Sequence, residues 1–168
     1  MEFKLWALIL LIADRGGFRR ARPGTQGWVL DAGANNGDTA VMLANALRSL
    51  RLRVLAIEPL ANNVRIGRAK AQRLNNLDVM LAGLGAVNGS VVHYPKHIDD
   101  LRGGLFAQIA SFRPKDSMGN GTYPVVTIDT LFDAKEDRSL VLAHLDLEGR
   151  EPDALRGANA TFQRDRPV

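Results

Sequence analysis

Eight residues constrain this chain more than any others: Leu-Asp-Ala-Gly-Ala-Asn-Asn-Gly at 30–37, set between an apolar run and a helical pattern. Trp28 to Ala32 has the composition of a buried strand, and Thr39 to Leu50 carries apolar residues at helical spacing. The backbone must therefore pass from strand to helix within a few residues. Gly33 and Gly37 let it turn there and approach a ligand closely. The unpaired N–H groups that open the following helix favour a carboxylate or another anion. The segment reads as a turn for a nucleoside-containing ligand. Its spacing, G-x-x-x-G with Asp31 two residues ahead of the first glycine, departs from the G-x-G-x-x-G of dinucleotide-binding proteins and argues against NAD.

The same alternation continues along the chain. Arg53 to Glu58 is a second buried strand, and Asn62 to Asn75 a second helix that would turn Val64, Ile66, Ala69 and Leu74 to the sheet. Leu77 to Ala82 is a third strand, and Ser90 to Tyr94 a short extra strand after the Asn88-Gly89 turn. Residues 95–124, interrupted by glycine and proline, read as a long loop able to cover a site. Pro124 to Ile128 is extended, Asp129 to Phe132 a helical turn, Leu140 to Asp146 a buried strand, and Pro152 to Arg164 a helix with proline in its first turn. This pattern predicts an α/β, Rossmann-like fold with a mostly parallel sheet and flanking helices.

A length of 168 residues suits one such domain, placed here at 28–168. Residues 1–27 precede it as an N-terminal helix and a basic linker, the linker at 14–27. The apolar run from Leu5 to Ala13 is far below the ~20 residues of a membrane-spanning helix. It reads as a packed or partner-docked helix, the other readings being a short signal or a surface anchor, and the expected location is cytoplasmic. With 22 basic and 18 acidic residues the net charge is +4, too slight to mark a nucleic-acid surface, and aromatic interleaving is sparse. Cysteine is absent, which excludes disulfides, thiolate nucleophiles and Cys-ligated zinc. No metal site is read from His93 and His97, so no metal is expected.

Three further positions carry chemistry. Glu58 ends the second strand, where a carboxylate can accept both hydroxyl protons of a ribose. In a doubly wound sheet the ligand lies beyond the carboxyl ends of the strands near the switch point, here between the first strand and 140–146. Asp146 and Glu148 alternate at the end of that last strand, so both would face the same cleft and could take or orient an acceptor's proton. His144, two residues earlier on the same face, reads as a hydrogen-bonded core histidine rather than a base.

With LDAGANNG at 30–37, AIEPL at 56–60, VTIDTL at 126–131 and LDLEGREPDALRGA at 145–158, the chain from about Trp28 to Val168 resembles the FkbM-type methyltransferases. The resemblance implies a class I fold that uses S-adenosylmethionine. It places Asp31, Gly33, Asn35 and Gly37 around the methionine and ribose portions, Glu58 on the ribose and Leu84 near the adenine. It implies methyl transfer to a small-molecule, sugar or lipid hydroxyl without a covalent enzyme intermediate, catalysed largely by holding donor and acceptor in line. The family often has Lys two residues before the Asp of the last motif and His after its Glu-Gly pair. This chain has His144 and Arg150 there, which points to different substrate chemistry.

The family's class I fold continues through further strands, whereas this sequence stops at 166–168, at the threshold of the next. The sheet is therefore expected to lack its last strands. An unpaired edge on the 140–146 strand would give a second copy a place to pair. The alternative function is a non-catalytic module that binds S-adenosylmethionine without turnover.

Overall fold

The computed structural model describes residues 21–92 and 122–168. The N-terminal apolar run, most of the basic linker, His93, His97 and most of the 95–124 loop lie outside them. Seven strands and five α-helices are described: β1 Gln26–Ala32, α1 Asp38–Ala46, β2 Arg53–Glu58, α2 Ala61–Ala71, β3 Leu77–Leu81, β4 Gly83–Leu84, β5 Gly89–Val92, β6 Thr122–Val126, α3 Ile128–Leu131, β7 Arg138–Leu145, α4 Glu151–Arg156 and α5 Asn159–Asp165. The main sheet runs β3-β2-β1-β7 with every pairing parallel. Successive strands step outward from β1 to β3, and β7 then takes the other flank of β1. The switch point therefore falls between β1 and β7, as expected. A smaller sheet, β4-β6-β5, mixes parallel and antiparallel pairing.

Strand alternation divides the core into two layers. Val29, Val54 and Ala56 pack with Leu43, Ala44 and Leu47 of the α1 segment on one face. Leu30, Ala32, Leu55 and Ile57 pack with Ile128, Phe132 and Ala154 on the other. Strand β7 changes phase between these layers. Trp28 pairs with Leu140 but Val29 with Leu142, so Val141 is an extra residue in a β-bulge. From there on the bulge sets Asp31 beside His144 rather than beside Ala143.

Several boundaries differ from the sequence reading. Strand β1 starts at Gln26, inside the expected linker, because the Gln26 N–H bonds to the Asp137 carbonyl before β7. The first helix stops at Ala46 and gives way to a 3-10 turn at Arg48–Leu50, and the second stops at Ala71. On α2, Val64 and Gly67 are buried while Ala69 is exposed, so the glycine rather than Ala69 meets the sheet. The expected 152–164 helix is two helices that part at Gly157 and Ala158. A Cβ at Gly157 would lie 2.2 Å from the Gly85 carbonyl oxygen, so the chain is pressed against β4 there. The Gly157 carbonyl accepts the Asp129 N–H, while the Asp129 carboxylate takes the Ala160 and Thr161 N–H groups and caps α5. At the outer edge of β7, Val168 donates to the Val141 carbonyl and accepts from the Ala143 N–H. Among the described residues no helix is long and apolar enough to cross a membrane.

Candidate functional site

The turn after β1 is built from left-handed backbone. Gly33 has φ +80°, Asn35 φ +51° and Gly37 φ +83°; glycine adopts this region freely and asparagine more readily than most residues. Gly33 and Ala34 both donate to the Ile57 carbonyl, which seats the turn on the end of β2. At Gly33 a Cβ would lie 1.9 Å from the Asp146 carbonyl oxygen, so the turn and the end of β7 touch backbone to backbone. Asp146 in turn donates its N–H to the Ala32 carbonyl at 2.9 Å.

Two adjoining cavities open at this end of the sheet, of about 420 Å³ and about 270 Å³. The larger has a mixed lining and holds most of the polar side chains, with Asn35, Glu58, Asn63, His144, Asp146 and Glu148 among its walls. The smaller is mainly apolar, with Ile57, Ala82, Leu84, Tyr123, Val125 and Leu147. Gly33, Pro59 and Leu147 border both. Of the residues singled out in the sequence, Gly33, Asn35, Glu58, Asp146 and Glu148 thus meet at the polar cavity. Leu84 lies in the apolar one, and Asp31 and Gly37 line neither. Gly37 caps α1 and comes close to Gly67 of α2.

Glu58 is buried in the wall of the larger cavity, between Ile57, which lines the smaller one, and Pro59, which borders both. One carboxylate oxygen accepts the Asn35 N–H at 2.9 Å, and the other accepts the Leu60 N–H at 2.9 Å and the Asn63 amide at 3.4 Å. Burial pushes this carboxyl above its ordinary range, and the three donors, which favour the charged form, offset only part of that. A carboxylate offers about four acceptor positions, so at least one remains for a ligand. At the mouth of α1, Lys70 pairs with Asp38 and holds its carboxyl below the usual range.

Asp146 and Glu148 reach the same cavity by a route other than strand alternation. Strand β7 ends at Leu145, and Glu148, at φ +54°, is the second-last residue of a turn that Gly149 completes at φ +94°. Both acids are exposed.

The contact that the sequence reading did not find joins Asp31 to His144. Asp31 Oδ1 lies 2.7 Å from His144 Nδ1. The Asp31 side chain is 1% exposed and that of His144 28%. The hydrogen bond to Asp31 raises the pKa of the ring, burial opposes it, and the charges of Asp31 and Asp146 add to the rise. His144 is thus hydrogen-bonded, as expected, yet it belongs to the cavity wall rather than to the core.

A parallel sheet with its switch point beside a glycine turn, an acid at the end of β2 and a polar cavity over the strand ends define a Rossmann-like fold of the methyltransferase class. The chain belongs to the FkbM methyltransferase family: the methyltransferase FkbM domain matches residues 31–168. The crystal structure of methyltransferase FkbM from Methylobacillus flagellatus KT is similar at a TM-score of 0.55 and 21% identity, over 91% of this chain and 34% of that one. This chain therefore spans about a third of the length of that protein. A DszA carbon methyltransferase structure is similar over 52% of this chain and 29% of its own, at 18% identity and a TM-score of 0.35. No curated protein matches the sequence.

Proposed function

We propose that this chain binds S-adenosylmethionine across the two cavities and serves methyl transfer to a hydroxyl of a small molecule, sugar or lipid. The observation that carries the reading is Glu58, a carboxylate fixed by two backbone N–H groups in the wall of the polar cavity and next in sequence to Ile57 of the adjoining apolar one. A nucleoside needs that combination: an apolar slot for its base beside an acceptor for the ribose hydroxyls. The fit extends to the turn, where the close approach at Gly33 leaves no room for a side chain between the β1 turn and the end of β7. In this reading Leu84 and its neighbours hold the adenine, Glu58 the ribose, and Gly33, Asn35 and the α1 entry the methionine portion, with Asp31 and Gly37 shaping that wall from behind. When bound, the sulfonium supplies an electrophilic methyl group. The protein's part is to orient the acceptor, a task assigned to Asp146 and Glu148 at the open end of the polar cavity, and to hold it in line.

Calorimetric titration with S-adenosylmethionine and with S-adenosylhomocysteine tests the reading. Hydrogen bonds to a charged acceptor contribute about 1.5–3 kcal/mol, so Glu58→Ala is expected to weaken both ligands by about 10- to 100-fold. Unchanged affinity in a folded variant would remove Glu58 from the site, and no binding by the wild-type chain would overturn the assignment.

A further inference from the structure

Asp31 has an unusual position for a residue of a ligand turn. It is buried, lines neither cavity, and its Oδ2 has no hydrogen-bond partner among the described residues. Its one side-chain hydrogen bond among the described residues joins Oδ1 to His144 Nδ1 at 2.7 Å. Because a carboxylate accepts, Nδ1 carries the proton in that contact. Nε2, on the opposite side of a ring that lines the polar cavity, is then the nitrogen left to meet a ligand. A buried acid that fixes the tautomer and orientation of a partly exposed imidazole is the arrangement by which a histidine is prepared to take a proton.

Resting on the methyl-transfer reading above, we propose that His144, held by Asp31, takes the proton released when the acceptor hydroxyl is methylated. The acceptor oxygen bonds to the methyl carbon as the carbon–sulfur bond breaks with its electron pair passing to sulfur. The hydroxyl proton passes to Nε2, and the Asp31 carboxylate stabilises the imidazolium. Asp31 is a positioning residue in this scheme, since it lines neither cavity and its side-chain hydrogen bond goes to His144. Brønsted reasoning favours a base that titrates near the working pH, which selects imidazole among the side chains of the cavity. Asp31 from β1 and Asp146 after β7 act on the ring, and the other charged groups of its cavity are Glu58 from β2, Glu148 after β7 and Asp38 from α1, the last neutralised by Lys70 of α2.

A base must be neutral when its substrate arrives. This acidic setting favours the imidazolium, so something must displace the proton. The methyl donor is cationic at sulfur, whereas its demethylated product is not. Sharing one cavity with the sulfonium disfavours the imidazolium, and sharing it with the product does not.

NMR titration of the His144 ring on the full chain reads this directly, since only three histidines need assignment. The ring is expected to bind its proton about tenfold more weakly with S-adenosylmethionine than with S-adenosylhomocysteine, the size of a partly screened charge repulsion. Calorimetry near neutral pH in two buffers of different protonation enthalpy should show proton release with the sulfonium ligand alone, and His144→Asn should abolish it. Asp31→Asn should lower the ring's proton affinity in the free protein. Identical His144 titrations with both ligands would overturn the proposal while leaving the binding site intact. Failure of both ligands to bind would overturn the cofactor reading, and this inference with it. The wild-type titration decides the matter even where a variant fails to fold.

Discussion

Gly33→Ala is expected to lower stability by about 3 kcal/mol or more and to abolish ligand binding at the polar cavity. Two costs combine at this position. Its φ of +80° is open to glycine but costs an L-residue roughly 1–2 kcal/mol. The added Cβ would also sit 1.9 Å from the Asp146 carbonyl oxygen and 2.9 Å from its carbonyl carbon, both backbone atoms with no rotamer to move to. Relief requires the end of β7 to shift, which breaks the Asp146 N–H bond to the Ala32 carbonyl and displaces Asp146 and Glu148 from the cavity. Gly24→Ala separates the two costs, because Gly24 has φ +79° with nothing within 4 Å of an added Cβ. Denaturant melts should show only the backbone cost at Gly24. Equal losses at both positions would mean that the contact between the glycine turn and Asp146 contributes nothing.

The same turn shows what the sequence could reveal. A strand that ends in D-x-G-x-x-x-G before a helix, followed by a strand that ends in Glu58, is a local pattern, and local patterns survive in one dimension. Strand β2 accordingly runs from Arg53 to Glu58 as read, and the switch point lies where strand alternation put it. The meeting of Gly33, Asn35 and Glu58 around one cavity was legible for the same reason. The Asp31–His144 pair was not, because it depends on the bulge at Val141. In an unbulged register Asp31 would stand beside Ala143, and His144 would face the other layer. Nothing in Leu140-Val141-Leu142 distinguishes a bulge from three regular strand residues. The break at Gly157 was hidden likewise: Gly157 lies close against the Gly85 carbonyl and accepts the Asp129 N–H, both far away in sequence, and helical periodicity continues across it. Glu148 reached the expected cavity through a left-handed turn rather than through strand alternation, so the right placement had a different physical cause.

The bulge makes a residue distant from the cavity important to it. The Asp165 side chain is 1% exposed and joins α5 to β7 and to the segment before β1. It accepts the Leu140 N–H beside the bulge at 2.8 Å, binds Arg164 through both oxygens at 2.8 and 2.9 Å, and pairs with Arg22 at 2.9 Å. Arg164 also donates to the Phe132 carbonyl after α3. Asp165→Ala leaves the buried Leu140 N–H without its acceptor and two guanidinium groups without their anion. Loss of one partner of a buried ion pair costs about 3–5 kcal/mol, but Arg22 and Arg164 are partly solvated, so the expected loss is about 2–3 kcal/mol, or roughly 5–10 °C in Tm. The pH dependence identifies the charge. Burial alone would push the Asp165 carboxyl up, yet Arg164, the Leu140 N–H and Arg22 together hold it below its ordinary value of 3.8. Its contribution is therefore full above that value and is lost as pH falls through the lower folded one. The stability difference between wild type and Asp165→Asn should be constant from pH 7 to about 5 and shrink below about pH 4, within the range set by ordinary carboxyl titration. A difference unchanged at pH 3 would assign the effect to packing instead. Because Leu140 adjoins the bulge that brings His144 to Asp31, Asp165→Ala should also shift the His144 ring titration. A ring unmoved in that variant would mean that β7 keeps its register without the buried acid.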